Sequence, residues 1–404
     1  MRKILLFSLL LLFTPINSLQ AQWAQISTVP TSQLNAVRFF NESTGITAGN
    51  GGIWRSVNSG INWNQVLNGP NVNSVSFPNI NNGYAVGDSG RIYKTTDEGL
   101  NWAPVSSPMS QNLFGVFFYN PTTGWAVGQQ GIIVKTINGG SSWTTQNSQT
   151  TQDLWSIFML NLTDGYVAGG STNEIVLQTG NGGYNWAYIL NQQNNTISAL
   201  IGVPGSPNKV ITVGTVGRIR RSTDYGVNWT VSTITSYQLN CIQFIDGNTG
   251  YIAGNSGTIL QTTNNGLNWN ANIITSLNLN CIWFIDSYTG WAVGQNGAVF
   301  RTGIPVGVHQ ISSEIHKGFQ LYQNCPNPFN PITNIKFDVN KNDTYIVLNI
   351  YDLLGRKIQT LVNEKLNVGS YEVGWNGENY SSGLYFYQLQ TSNGNQFKKM
   401  ILTK

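Results

Sequence analysis

The stretch Thr123-Gly124-Trp125-Ala126-Val127-Gly128-Gln129-Gln130-Gly131-Ile132-Ile133-Val134-Lys135-Thr136 is one copy of a pattern that recurs along the chain. The other copies are TGITAGNGGIWRS from Thr44, NGYAVGDSGRIYKT from Asn82, DGYVAGGSTNEIVLQT from Asp164, NKVITVGTVGRIRRS from Asn208, TGYIAGNSGTILQT from Thr249 and TGWAVGQNGAVFRT from Thr289. Their central glycines are Gly49, Gly87, Gly128, Gly169, Gly214, Gly254 and Gly294, spaced by 38, 41, 41, 45, 40 and 40 residues. That is the period of a propeller blade built from four short strands, so seven copies predict seven blades.

A tryptophan follows six of the copies: Trp63, Trp102, Trp143, Trp186, Trp229 and Trp269. The seventh ends at Arg301-Thr302-Gly303 without one. Gln22-Trp23-Ala24-Gln25-Ile26 matches the segments NWNQV and NWAPV that end blades one and two. The N-terminal strand is therefore expected to complete the last blade, since an incomplete blade leaves an unpaired edge of N–H and C=O groups. Within each blade an apolar inner strand (LNAVRFF, VNSVSF, LFGVFF, LWSIFM, LNCIQF, LNCIWF) precedes a turn opened by Asn41, Asn79, Asn120, Asn161, Asp246 or Asp286. Asn and Asp suit such turns because their side chains bond nearby backbone N–H groups. Asp246-Gly-Asn-Thr-Gly echoes a calcium loop but lacks a distal glutamate, and a plain turn is expected there.

The hairpin before each tryptophan reads SVNSGINW, TTDEGLNW, TINGGSSW, TGNGGYNW, STDYGVNW or TTNNGLNW, which is S/T-x-D/N-x-G-x-x-W. This resembles the Asp box of the bacterial neuraminidase repeat, and the wider pattern over 22–303 resembles the propellers of the photosystem II assembly and stability factors. The resemblance implies that Asn58, Asp97, Asn138, Asn181, Asp224 and Asn264 are structural hairpin residues. It also implies an enzyme alternative, a sialidase-like glycan hydrolase, which needs an arginine cluster, a Tyr/Glu nucleophile pair and an acid/base carboxylate. Residues 22–303 hold three glutamates, Glu42, Glu98 and Glu174, at unlike positions of different blades.

Composition narrows the classes further. Only 9% of the 404 residues are charged, against about 25% in typical soluble domains. With 44 Gly, 13 Trp, 17 Tyr and 17 Phe, the chain is neither a solvating disordered polymer nor, lacking a G-X-Y period, collagen. Residues 22–303 carry ten basic and ten acidic side chains, so the concentrated basic footprint of a nucleic-acid binder is missing. Those residues contain no histidine, and HExxH, CxxC, GxSxG and GxxxxGK are absent. No catalytic residue, metal ligand or cofactor is expected. Cys241 and Cys281 share one inner-strand position that takes small residues in other blades; two buried thiols or a bridge both fit it.

One column invites a binding role. Arg55, Lys94, Lys135, Gln178, Arg221, Gln261 and Arg301 precede the Ser/Thr that ends each third strand. Blade five adds Arg218 and Arg220. Arg218, Arg220 and Arg221, with Arg91 and Lys94 of blade two, are the candidate contacts for an anionic ligand or partner, because guanidinium forks suit carboxylates and phosphates. The alternative is that the stems pack and the charges merely face water.

The two ends of the chain read as addresses. Arg2-Lys3 and the apolar run Ile4 to Phe13 predict an export signal over 1–21, too short to span a bilayer, and no later run reaches 18 apolar residues. Residues 304–317 read as a linker. Residues 318–404 alternate short apolar runs with LLGR, WNG and SNG turns, predicting a small Ig-like β-sandwich. This tail is similar to the C-terminal sorting domain of the type IX (Por) secretion system, type A. Its marks are Pro326-Asn327-Pro328-Phe329-Asn330-Pro331, Tyr351-Asp352-Leu353-Leu354-Gly355-Arg356, Gly383-Leu384-Tyr385 and Lys398-Lys399-Met400-Ile401-Leu402. Cys325 stands where that family usually has an aromatic. The resemblance implies a Gram-negative cell, recognition of 318–404 by the type IX machinery, and a secreted or surface-displayed product. The expectation is thus an all-β chain: a seven-bladed propeller at 22–303 that binds an unknown protein or glycan, then the sorting sandwich.

Overall fold

The computed structural model describes residues 23–302, 308–312 and 318–403, apart from 288, 378–379 and 393. The export signal expected at 1–21 lies outside the described residues, as do 304–307 and 313–317 of the expected linker and Gly303 at the end of the expected propeller. Seven four-stranded antiparallel sheets follow one another in the first part of the chain. Blade one comprises Leu34–Phe39, Gly45–Gly49, Gly52–Ser56 and Asn64–Asn68. Blades two to six repeat that order, their inner strands being Val72–Ser76, Leu113–Phe118, Leu154–Met159, Ile197–Val203 and Leu239–Phe244.

Blade seven closes the ring as the tryptophan count requires. Leu279–Phe284, Gly290–Gly294 and Ala298–Thr302 take Ala24–Thr28 as their fourth strand. Ala24 lies opposite Arg301 and Thr28 opposite Ala298, and the Val29 N–H donates to the Gly297 carbonyl at 2.8 Å. The same strand grips blade one: Ser27 Oγ donates to the Gly60 carbonyl at 2.6 Å and accepts from Trp63 Nε1 at 3.3 Å. Trp23 meets Phe284 edge to face at 5.7 Å, as Trp63 meets Phe39 at 5.9 Å.

The second strands of six blades are buried along their whole length, as is Val210–Gly214 of blade five, which explains their small, apolar sequence. The central glycine is dictated by close approach: a Cβ at Gly49 would lie 2.1 Å from the Gln33 carbonyl oxygen, and at Gly128 2.0 Å from that of Asn112. Aromatic stacking then ties one blade to the next. Phe118 lies over Tyr84 of the preceding blade at 3.4 Å, Phe284 over Tyr251 at 3.5 Å, and Phe39 over Trp291 at 3.6 Å across the closure. Such stacking contributes about 0.5–1.5 kcal/mol per pair beyond area burial.

The C-terminal part is a two-sheet sandwich of the Ig-like class expected. One sheet orders His309–Ser312, Gly369–Asn376, Ile332–Val339 and Gln320–Leu321; the other orders Lys357–Leu366, Thr344–Tyr351, Gly383–Thr391 and Gly394–Leu402. Their facing side chains, among them Phe337, Leu348, Trp375 and Leu389, form one buried core. Phe329 of the proline-rich run enters that core and packs 5.4 Å from Trp375. One boundary is corrected: His309–Ser312, read as linker, pairs with Gly369–Asn376 as an edge strand. The residues pair there because the sheet edge formed by Gly369–Asn376 offers free backbone groups.

Candidate functional site

The hairpin motif is a hydrogen-bond cassette repeated six times. In blade two, Thr95 Oγ1 donates to Asp97 Oδ1 at 2.7 Å, the Gly99 N–H donates to Thr95 Oγ1 at 3.1 Å, and the Asn101 N–H donates to Asp97 Oδ1 at 3.0 Å. The Asx oxygen makes the matching bonds in the other five copies, at Asn58, Asn138, Asn181, Asp224 and Asn264. One acceptor oxygen suffices, so Asn replaces Asp freely. Where Asp is kept, its second oxygen accepts from Asn101 or Asn228 Nδ2 at 2.7 Å. The turn at Asp246 works the same way, accepting from the Asn248 and Thr249 N–H groups at 2.7 and 2.6 Å.

The repeated cations fasten blades together. Four of the five reach the carbonyl one residue past the Asx of the next hairpin. Arg55 Nε donates to Glu98 O at 3.1 Å, Lys94 Nζ to Gly139 O at 2.9 Å, Lys135 Nζ to Gly182 O at 2.9 Å and Arg221 Nε to Asn265 O at 3.0 Å. The equivalent carbonyl for Arg301 is that of Ser59, but Trp291 Nε1 takes it at 2.8 Å. Arg301 is 1% exposed and none of its three guanidinium nitrogens has a partner among the described residues. Burial lowers its pKa to about 10, partly countered by Glu42 and Asp286, and its guanidinium carbon lies 5.2 Å from the Trp291 ring centre.

The blade-five cluster is also internal. Arg220 is 3% exposed and donates through Nε to Glu174 Oε2 at 2.8 Å; Arg218 Nη1 reaches the same oxygen at 3.3 Å. Glu174, itself buried, belongs to blade four, so this is a seam between blades. Of the five candidate contacts, Arg218, Arg220, Arg221 and Lys94 are thus committed within the ring. Arg91 alone is exposed without a side-chain bond among the described residues. The pattern misled because a repeated cation signals a repeated partner, and that partner lies one blade away rather than in solvent.

A different arginine occupies the mouth of the ring. The position just before Phe39 and its equivalents Phe77, Phe118, Met159, Gly202, Phe244 and Phe284 holds Arg38, Ser76, Phe117, Phe158, Ile201, Gln243 and Trp283 in blades one to seven. Arg38 stacks on Trp283 with its guanidinium carbon 3.8 Å from the ring centre. Trp283 Nε1 is held by the Phe39 carbonyl at 3.0 Å, and Gln243 is fixed through both amide atoms by the Phe284 backbone, at 2.9 and 2.6 Å. The three side chains line a recess of about 450 Å³ among the inner-strand ends of blades six, seven, one and two. Arg38 is half-buried, its Nε has no partner among the described residues, and burial lowers its pKa to about 10. No carboxylate is paired with it among the described residues. An anion arriving there would meet a partly dehydrated, planar donor already held in place by an indole. The signal in the sequence was a single charged residue in an otherwise uncharged column.

Cys241 and Cys281 face each other across blades six and seven as free thiols, Sγ to Sγ 3.4 Å. Cys325 is exposed.

Residues 95–236 match the family model of the photosynthesis system II assembly factor YCF48, and residues 324–403 match that of the secretion system C-terminal sorting domain. A search of curated proteins finds no match to the chain. Among solved structures, YCF48 from Cyanidioschyzon merolae is 18% identical, with a TM-score of 0.57 over 70% of this chain and 98% of that one. A YCF48 bound to D1 peptide is 17% identical, with a TM-score of 0.59 over 71% and 96%. The WD40 β-propeller domain of Doa1 is 11% identical, with a TM-score of 0.56 over 70% and 97%. At such identities the likeness to solved structures establishes the fold alone. The chain pairs a YCF48-like repeat propeller with a segment matching the secretion-system C-terminal sorting domain.

Proposed function

We propose that this protein is a binding module, exported by a type IX secretion system to the surface or surroundings of a Gram-negative cell. Its propeller takes an anionic group of a protein or glycan partner at the Arg38 mouth. The sorting-domain match supports the route: Sec export, outer-membrane translocation, and recognition of 318–404 by the secretion machinery. The unpartnered Arg38 guanidinium carries the binding reading, since a half-buried cation without a counter-charge is stabilised by an incoming carboxylate or sulfate. That a YCF48 propeller holds a peptide supports a protein ligand for a ring of this kind.

In this reading the propeller performs no reaction. Glu98 is bonded to Arg55 and Glu174 to Arg218 and Arg220, so two of the three propeller glutamates serve the blade seams. The hydrolase alternative has no observation in its favour. The test is an array carrying acidic and neutral glycans together with peptides ending in a free or amidated carboxyl group. Wild-type protein is expected to retain carboxylate- or sulfate-bearing probes, and Arg38→Gln to lose them. Equal retention by Arg38→Gln, or retention of neutral probes only, overturns the reading.

A further inference from the structure

Six blades share a size-matched pair across their first two strands. Phe39 lies opposite Gly45, Phe118 opposite Gly124, Met159 opposite Gly165, Phe244 opposite Gly250 and Phe284 opposite Gly290. In blade two the Phe77 ring fills the place of a Gly83 side chain, 2.3 Å from where its Cβ would be. The large residue covers the glycine and lies against the preceding blade, where it stacks on Tyr84, Tyr251 or Trp291 when an aromatic is offered. Blade five reverses the pair: Gly202 lies opposite Val210. Blade four still presents its aromatic, Tyr166, but among the described residues no ring stacks on it.

A recess of about 710 Å³ lies at the seam of blades four and five with Tyr166 in its wall, while Phe158 and Leu160 occupy the space next to Gly202, 2.5 and 3.1 Å from where its Cβ would be. Phe158, Tyr166, Gly202 and Pro204 are among its walls, and Asp164 and Gln178 stand at it as polar groups. Asp164 is half-buried and accepts from Thr163 Oγ1 at 2.7 Å, but no cation is paired with it among the described residues. Gln178 Nε2 donates to the Tyr166 hydroxyl at 3.4 Å. The seam is thus apolar, has lost one ring from its repeat, and carries one uncompensated negative charge.

We propose that this recess takes an aromatic side chain from a partner peptide, with a neighbouring lysine or arginine set against Asp164. The ring lies on Tyr166, as Phe118 and Phe284 lie on Tyr84 and Tyr251 at two other seams, and the cation supplies the missing counter-charge. The site is separate from the Arg38 mouth and stands whether or not that mouth binds anions.

The test uses the full chain and fluorine NMR of two dipeptide amides, 5-fluorotryptophyl-arginine and 5-fluorotryptophyl-glutamate. Wild-type protein is expected to bind the first with a Kd in roughly the millimolar range and the second at least about threefold more weakly. The double variant Gly202→Phe/Val210→Gly restores the pair used by the other blades; Phe158, whose Cε1 lies 2.5 Å from the new Cβ position, must swing aside. It should keep the fold and weaken the arginine dipeptide by about tenfold or more. Asp164→Asn should keep ring binding and abolish the preference for arginine. The proposal is overturned if wild type binds neither dipeptide, if the folded double variant binds unchanged, if Asp164→Asn keeps the preference, or if glucose or N-acetylglucosamine displaces the dipeptide at lower concentration than it binds. Should the double variant fail to fold, the wild-type and Asp164→Asn titrations decide alone.

Discussion

If the first strand closes the ring, Trp23 must matter as much as the tryptophan at the same place in blade one. Trp23 and Trp63 are both half-buried, and both meet a phenylalanine edge to face, at 5.7 and 5.9 Å. Replacing a fully buried Trp by Ala costs about 3–5 kcal/mol; half burial reduces that to about 2 kcal/mol, with the ring pair contributing about another 0.5–1 kcal/mol. For a domain of this size each kcal/mol lowers Tm by roughly 2–4 °C, so Trp23→Ala and Trp63→Ala should each lose about 5–12 °C. Twelve of the 13 tryptophans lie in the propeller, so thermal unfolding followed by tryptophan fluorescence reports that domain with Trp375 as a minor background. A Trp23→Ala melt within about 2 °C of wild type, while Trp63→Ala falls as expected, would refute closure by the first strand. Removing Trp23 to Val29 altogether should go further, exposing the Gly297–Arg301 edge to protease.

Four further outcomes follow from the seams and hairpins. Arg301→Met keeps the stem against Trp291 and removes an unpaired buried cation, so it should raise stability by about 1–2 kcal/mol, whereas Arg55→Met should cost about 1–2 kcal/mol by losing the Glu98 bonds; denaturant midpoints check both. Glu174→Ala strands Arg220 in a buried seam and should cost about 3–5 kcal/mol, read by the same melts. Hydrogen bonds from Asn101 hold the Asp97 carboxyl below its ordinary range, and those from Asn228 do the same for Asp224. A depressed folded pKa means stability present above the ordinary carboxylate pKa and lost as pH falls through the folded one. Asp97→Asn/Asp224→Asn should therefore flatten the acid limb of a stability profile below about pH 4. Cys241 and Cys281, already 3.4 Å apart, should lose two mass units to diamide with the fold intact; a denatured thiol count that stays at three rather than falling to one would contradict this.

Blade number and the hairpin cassette were legible because each is written in bonds between residues close in sequence, then repeated; ring closure was legible because the tryptophan segment missing after the seventh copy stands at Trp23, although its bonds join residues far apart in sequence. The Asx oxygen of Asp97 reaches only to Asn101, and six copies of that short reach make one pattern. The cation column was legible as a column but not as a latch, because Lys94 finds Gly139 45 residues away, in another copy of the repeat. A partner that recurs with the same period as the residue itself leaves no separate mark on the sequence. The places with most room for function are the converse, where one copy departs from the others. Arg38 is one charge in a column without charge. The exchange of Phe and Gly for Gly202 and Val210 is subtler, since it alters neither the period nor the apolar pattern. It changes only which side of a strand pair carries the bulk, and in a ring whose blades press ring upon ring it leaves Tyr166, beside a recess, with no ring stacked on it among the described residues. Searching a repeat for such reversals of size across paired strands is therefore a physical way to look for its binding sites, and it requires knowing the register rather than the motif.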